Sequence, residues 1–158
     1  MNYLCVGKVY KTHGIKGELK LITTVESKNS IYNIGSFIYI GEEKEKFEIV
    51  SYRRHKDYDM VVLKGYDYIN DVLRLLKKKV YIDRDNSDLK NELIDEDLIN
   101  IDAYYNNENI GKVDEIINNN GYKLFSVSGK LIPYNEHFIL NIDLENKKIE
   151  FKNLEGLL

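Results

Sequence analysis

The chain has 158 residues, of which 43% are hydrophobic and 31% charged, so it can bury one good core or two small ones. No stretch approaches the roughly 20 apolar residues that cross a bilayer, and we expect no secretory signal at the N-terminus. Cys5 is the single cysteine, which excludes an internal disulfide and a cysteine-built metal site and fits a reducing cytoplasm.

The net charge of −3 conceals an asymmetry between the two halves. Residues 1–85 hold 16 basic and 12 acidic residues, a net charge of +4, whereas residues 86–158 hold 7 basic and 14 acidic residues, a net charge of −7. Such a split indicates two domains that face partners of opposite charge. Two merely solvated surfaces would produce it equally well.

The front half predicts a small β-barrel. Residues 70–77 indicate one short helix, with Asn70 as its N-cap and Lys77 to Lys79 as cations suited to its C-terminus. Six strands that close on themselves with one helix are typical of a small barrel. β-Branched and apolar runs place these strands at residues 6–10, 19–25, 37–40, 47–52, 60–63 and 80–82.

The polar stretch 83–96 coincides with the change of charge sign and is the best candidate for a linker. We therefore place the first domain at residues 1–85, a linker at 86–95 and the second domain at 96–158. Six more short strands indicate a second small barrel, with Gly111 at a bend or bulge in a strand and Pro133 at the end of a strand or in an edge strand. They are expected at residues 99–105, 110–117, 124–127, 131–134, 138–144 and 148–151.

Basic residues of the front half are the candidates for RNA contact. One group surrounds a connection that we expect to be a long loop carrying Gly14 and Gly17, and a second group approaches a hairpin turn. Strand alternation turns about half of such cations away from any one surface. The run from Lys77 to Lys79 fits a solvated helix end better. The candidates are Lys11, His13, Lys16 and Lys20 in the first group and Arg53, Arg54, His55 and Lys56 in the second.

The sequence lacks the constellations that carry catalysis. None of His13, His55 and His137 has a partner at metal-ligand spacing. There is no nucleophile elbow, no phosphate-binding Gly-Lys-Ser/Thr loop and no dinucleotide fingerprint. We therefore expect neither an enzyme nor a bound metal or cofactor.

The phrase His13-Gly14-Ile15-Lys16-Gly17-Glu18 resembles the opening loop of the ribosome maturation factor RimM family. Later segments match in the same order, so the resemblance covers nearly the whole chain. It implies a mainly β fold: an N-terminal barrel like those of translation-factor and reductase domains, then a PRC-barrel domain. The matching segments include Arg53-Arg54-His55-Lys56, Asp97-Leu98-Ile99, Ile110-Gly111-Lys112-Val113 and Leu131-Ile132-Pro133-Tyr134.

The resemblance also implies a function and partners. It indicates a non-enzymatic cytoplasmic factor that assists 16S rRNA processing and assembly of the head of the small (30S) ribosomal subunit. Its partners would be 16S rRNA in the immature subunit and a basic head ribosomal protein of the S19 type, with no membrane partner, and we expect a monomer. The alternative is a general two-module adaptor without a ribosomal role, which the charge split fits equally well.

The sequence departs from the family pattern at one place. Family members usually carry a Tyr-Tyr pair just before an Asp-Leu-Ile-Gly phrase, where this chain has Leu93-Ile94 and Asn100. Leucine and isoleucine keep apolar area but lose the aromatic faces and hydroxyls. They either contact the protein partner or pack within the domain or against the first barrel. The candidate partner-binding residues are Leu93, Ile94, Asp95, Glu96, Asp97 and Leu98.

Overall fold

The computed structural model describes all of residues 1–158. The chain divides into two compact units, Met1–Leu93 and Ile94–Leu158. The predicted domains at 1–85 and 96–158, with a linker between them, stay a prediction. None of the helices has the length and apolar character needed to cross a membrane.

The first unit is a closed barrel in which every neighbouring pair of strands is antiparallel. Around the barrel the strands follow the order β1-β2-β5-β4-β3-β6. Alternate side chains such as Leu19, Leu21 and Ile49 point inward and are fully buried, which is the pattern a closed sheet requires. The strands are β1 (Tyr3–His13), β2 (Glu18–Thr23), β3 (Phe37–Ile40), β4 (Glu45–His55), β5 (Tyr58–Leu63) and β6 (Lys79–Asp83).

The single helix of this unit begins earlier and ends earlier than its predicted limits. Helix α1 spans Ile69–Val72 and continues as a 3-10 turn over Leu73–Leu75. Its N-cap is Tyr68, so the prediction that Asn70 caps it was wrong. With these limits the helix and the turn bury Val72 and Leu75 completely. Burying two apolar side chains stabilises the fold more than a side-chain hydrogen bond at the helix N-terminus would.

The three lysines after the helix belong to the connection into β6. Lys77 has a positive φ of 68°, and its backbone N–H donates to the Val9 carbonyl at 2.8 Å. Lys79 is already the first residue of β6. The expectation that these cations complement a helix C-terminus was therefore wrong, because the chain leaves the helix at Leu75 to pair with β1.

The second unit is a six-stranded sheet in the order β10-β9-β8-β7-β12-β11, so β10 and β11 are its end strands. Strands β12 and β7 are parallel, and the other pairs are antiparallel. Phe125 lies at the centre of the core, stacked on Tyr134 at 4.5 Å and edge-on to Phe151 at 5.3 Å between ring centroids. The strands are β7 (Asp102–Tyr105), β8 (Glu108–Asn119), β9 (Tyr122–Val127), β10 (Lys130–Pro133), β11 (Ile139–Asp143) and β12 (Lys148–Phe151).

Two-residue turns connect the antiparallel strands from β7 to β10. The pairs Asn106-Asn107, Asn120-Gly121 and Ser128-Gly129 all have positive φ, as the turns that match strand twist require. The sequence predicts a hairpin around residues 106–109, which turns at its first two residues, and a turn at Ser128-Gly129, which lies at its predicted place; the turn at Asn120-Gly121 was not predicted. Strand β8 runs on to Asn119 because Asn120-Gly121, a strong hairpin signal, forms the turn after it.

Two local predictions in the second unit are confirmed. Gly111 sits beside a bulge, because the register pairs Ala103 with Gly111 and Tyr104 with Asn109. Its φ is 124°, and a Cβ there would lie 2.0 Å from the Ser128 Oγ. Pro133 ends strand β10, which forms one edge of the sheet.

Candidate nucleic-acid interface and partner segment

The connection between β1 and β2 is a tight turn of four residues, Gly14 to Gly17, so the prediction of a long loop was wrong. The two strands extend until His13 pairs with Glu18. Gly17 has a φ of 78°, and a Cβ there would lie 2.2 Å from the Tyr66 carbonyl oxygen. The glycine at this position thus has a structural cause, since only glycine fits this close approach.

The strand order β1-β2-β5-β4 brings the two predicted basic groups together. Lys11 lies opposite Lys20 and His55 lies opposite Tyr58, and side chains opposite each other share one face of a sheet. The rings of His13 and His55 are 5.9 Å apart between centroids. We call this surface the basic face: Tyr10, Lys11, His13, Glu18, Lys20, Arg53, His55, Lys56 and Tyr58.

Arg53 lies on the basic face but is already paired. Its Nε and Nη2 donate to the two Glu18 carboxylate oxygens at 2.9 and 2.8 Å. This hydrogen-bonded guanidinium lowers the pKa of Glu18 below its ordinary value. The one carboxylate within the face is therefore neutralised by Arg53, which leaves the lysines and histidines to set its charge.

Arg54 points to the opposite side of the strand, as alternation requires. There it pairs with Asp59 at 3.0 Å. Asp59 is only 5% exposed and also accepts hydrogen bonds of 2.6 Å from the hydroxyls of Thr23 and Tyr52. Burial raises the pKa of Tyr52 to about 12, so Tyr52 stays a donor and the network holds Arg54 away from the basic face.

The lysines of the basic face are placed differently from the arginines. The Lys11 Nζ lies 5.0 Å from the centre of the Tyr10 ring, and the Lys20 Nζ lies 4.8 Å from that of Tyr58. Lys56 is exposed in the turn after β4; Lys16, the one predicted candidate that is not part of this face or of the Asp59 network, is exposed in the β1–β2 turn. These contacts hold the ammonium groups loosely, since an exposed cation–π contact is worth about 0.5–1 kcal/mol.

The field at this surface is positive. Burial lowers the pKa of His55 below its ordinary value, and the charges of Arg53, Lys56, His13 and Lys20 lower it further. Charges that disfavour an added proton favour an anion at the same place. Such an arrangement can hold a phosphate group.

The predicted partner segment, residues 93–98, has only two exposed side chains, Leu93 and Glu96. Leu93 is 44% exposed, whereas Ile94 and Leu98 are buried. Asp95 pairs with Lys123 at 2.6 Å, and the Asp97 carboxylate accepts the backbone N–H of Ile94 at 3.0 Å. The buried side chains of Ile94 and Leu98 and the bonds of Asp95 and Asp97 hold the turn in which Leu93 and Glu96 are exposed.

Sequence reasoning missed three features of the site: the Glu18 partner of Arg53, the Asp59 network and the stacking of Tyr10 on Tyr58. Glu18 and Arg53 are 35 residues apart, and nothing in the local pattern signals their pairing. The structure contains no group of three or more His, Cys, Asp or Glu side chains that could hold a metal ion.

The fold and this site define a mainly β protein of two domains in tandem, the first a barrel with a basic, aromatic face. Residues 4–87 match the family model of the RimM N-terminal domain, and residues 95–157 match that of the RimM PRC barrel domain. The chain belongs to the RimM family of ribosome maturation factors. The resemblance seen in the sequence, and the fold class it implied, are thus confirmed.

Several curated relatives match over the full length and carry the name ribosome maturation factor RimM. The proteins of Streptococcus mutans and Exiguobacterium sibiricum are both 32% identical, covering 99% and 100% of this chain and 98% and 99% of theirs. That of Staphylococcus haemolyticus is 33% identical and covers 97% of each chain. The name denotes maturation of the ribosome and not a chemical reaction.

Two solved structures are similar to this chain. One is the crystal structure of a 16S ribosomal RNA processing protein RimM from Pseudomonas aeruginosa, 18% identical, with a TM-score of 0.49 and coverage of 95% of this chain and 96% of that one. The other is the N-terminal domain of RimM from Thermus thermophilus, 18% identical, with a TM-score of 0.45 and coverage of 53% and 92%.

Proposed function

We propose that this protein assists maturation of the small (30S) ribosomal subunit by binding 16S rRNA and a basic head protein of the S19 type. Membership of the RimM family is the observation that carries the proposal. The geometry supports a division of the work between the two units, with RNA bound by the first and the protein bound by the second.

The basic face supports the RNA role of the first unit. Residues 1–93 hold 17 basic and 14 acidic residues, a net charge of +3. Within the face the arginine is paired with Glu18, while Lys11, Lys20 and Lys56 remain available to meet phosphates. Each ammonium that meets a phosphate releases counterions, so binding is expected to weaken steeply with salt.

Charge and exposure support the protein role of the second unit. Residues 94–158 hold 6 basic and 12 acidic residues, a net charge of −6, which complements a basic partner. Glu96, near the start of this unit, is exposed and offers an acidic contact, and Leu93, the last residue of the first unit, offers an exposed apolar contact. Leucine in place of the family tyrosine keeps burial but forgoes a hydroxyl hydrogen bond, worth about 0.5–1.5 kcal/mol.

The proposed mechanism is chaperoning without a chemical step. A factor that binds the immature conformation more tightly than the mature one shifts the population toward the state in which the head protein and its RNA site can join. Once the head protein has joined its RNA site, the subunit no longer has the conformation that the factor prefers, and the factor dissociates.

Co-sedimentation tests this proposal. The full chain is centrifuged through a density gradient with immature small subunits and, separately, with mature ones. We expect it to travel with the immature particles and to be depleted from the mature ones. Equal association with both, or none with either, would overturn the proposal and favour an adaptor without a ribosomal role.

A further inference from the structure

We propose that the basic face binds unpaired RNA, with one base stacked on the Tyr10–Tyr58 pair and the flanking phosphates held by the surrounding lysines and histidines. The inference rests on the proposed function and adds the class of RNA that the face accepts. Four aromatic rings carry it, two on β1 and two on the neighbouring strands β4 and β5: those of Tyr10, His13, His55 and Tyr58.

The tyrosine pair forms a small stacking platform. The two rings are 5.4 Å apart between centroids and only 4° from parallel. Tyr10 is the extra residue of a bulge in β1, because the register passes from Val9 to Lys11 across a shift. Bulges re-aim a side chain, and here the bulged tyrosine stacks on Tyr58, the first residue of β5. Neither ring is fully buried.

The cations beside the platform are held by the rings alone. The Lys11 and Lys20 ammonium groups lie 5.0 and 4.8 Å from the ring centres of Tyr10 and Tyr58. A π-rich face that attracts a cation is also a face on which a nucleobase stacks. A base that stacks on the tyrosine ring displaces the flexible lysine, whose ammonium group can then contact a phosphate of the same RNA strand.

The histidine pair extends the site along the strand direction. His13 and His55 lie 5.9 Å apart between ring centroids, beside the turn that carries Lys56. Glu18 lies opposite His13, and its bidentate bond to Arg53 reduces the repulsion it would exert on a phosphate. The platform therefore adjoins a positively charged surface.

Unpaired RNA is the class that these groups fit. In a duplex the base faces are covered by neighbouring bases, and sequence-tolerant recognition of single strands relies on aromatic stacking with a basic groove. A duplex would use the lysines and leave the platform empty. The rings therefore predict a preference for single strands that cations alone would not give.

Fluorescence anisotropy with the full chain tests this. The probes are an oligouridine of about 12 nucleotides and a hairpin duplex of similar charge. Tyr58→Leu keeps apolar volume but removes the ring, Tyr58→Phe keeps the ring, and Tyr68→Leu alters an exposed tyrosine outside the face. We expect Tyr58→Leu to weaken single-strand binding about tenfold, with duplex binding and the other two variants unchanged. Equal losses for both RNAs, or no loss, would overturn the proposal.

Photocrosslinking of the unaltered chain gives a second test that needs no substitution. An oligouridine carrying 4-thiouridine is irradiated with the protein, and the modified peptides are mapped by mass spectrometry. Crosslinks at Tyr10 or Tyr58 are the expected result, and crosslinks only outside the basic face would overturn the stacking site. Such a failure leaves the co-sedimentation result untouched, so the two proposals can fail separately.

Discussion

The basic face of the first unit and the predicted partner segment, residues 93–98, show opposite relations between sequence and surface. The basic face joins residues from four strands, of which β1 and β2 are far along the chain from β4 and β5, and the strand order β1-β2-β5-β4 brings them together. The partner segment is continuous, residues 93–98, yet the fold buries Ile94 and Leu98 and leaves Leu93 and Glu96 exposed. Closeness along the chain is therefore a poor guide to which side chains act together.

The same lesson applies to two adjacent arginines. Arg53 faces Glu18 on the basic face, while Arg54 joins Asp59, Thr23 and Tyr52 on the other side of the sheet. Strand periodicity separates them completely. Two neighbouring arginines in the sequence therefore have different roles: Arg53 lies on the basic face, and Arg54 belongs to the hydrogen-bonded network around Asp59.

The largest expected effect tests that separation. Asp59→Ala leaves the Thr23 and Tyr52 hydroxyls and the Arg54 guanidinium without their shared acceptor, and we expect the free energy of unfolding to fall by about 3 kcal/mol. RNA affinity at a temperature where the variant is folded should stay unchanged. Denaturant unfolding measures the first effect. Asp57→Ala, in the exposed turn two residues earlier, is the control and should lie within about 0.5 kcal/mol of the unaltered protein.

How far the sequence predicted this molecule can be judged from particular elements. Strands such as β3 and β12 were predicted at their observed limits, because β-branched and aromatic runs between turn residues are local signals. The cap at Asn70 and the long first loop were wrong because burial of Val72 and the extension of β1 to His13 depend on tertiary packing. The Glu18–Arg53 pair depends on strand pairing that no local pattern encodes.

A triple substitution sharpens the contrast between cations on the face and cations elsewhere on the same unit. Lys11→Gln, Lys20→Gln and Lys56→Gln together should weaken RNA binding about 30-fold near 0.1 M salt and reduce the salt slope by about 2 to 3. The matched control replaces Lys77, Lys78 and Lys79 by glutamine, with the same change of charge. Equal losses in the two triple variants, measured by anisotropy against salt, would mean that net charge and not the face binds RNA.

The partner segment can be tested at its one exposed apolar side chain. Leu93→Asp should weaken binding of the S19-type head protein about tenfold, because it places a charge where apolar contact is expected. Leu73→Asp is the matched control, since Leu73 is 45% exposed and Leu93 is 44% exposed. Circular dichroism should show both variants folded. An unchanged affinity for Leu93→Asp would remove this residue from the interface.

The smallest expected effect is the pH dependence of RNA binding. The pKa of His55 is lowered by burial and by Arg53, Lys56, His13 and Lys20, with Glu18 the one opposing charge at the face. A bound phosphate opposes that lowering, so binding takes up a proton. RNA affinity should therefore rise about threefold as the pH falls from about 7.5 to 6. His55→Gln should flatten this rise, and His137→Gln, in the second unit, should keep it.

The separation of RNA binding at the basic face from protein binding at residues 93–98 is the central claim, and calorimetric titration of the S19-type head protein into the full chain tests it most directly. The titration is repeated with the Lys11/Lys20/Lys56 triple variant and with Leu93→Asp. We predict that the triple variant binds the head protein as the unaltered chain does and that Leu93→Asp binds it about tenfold more weakly. Loss of binding in the triple variant with none in Leu93→Asp, or no binding by the unaltered chain, would contradict the account.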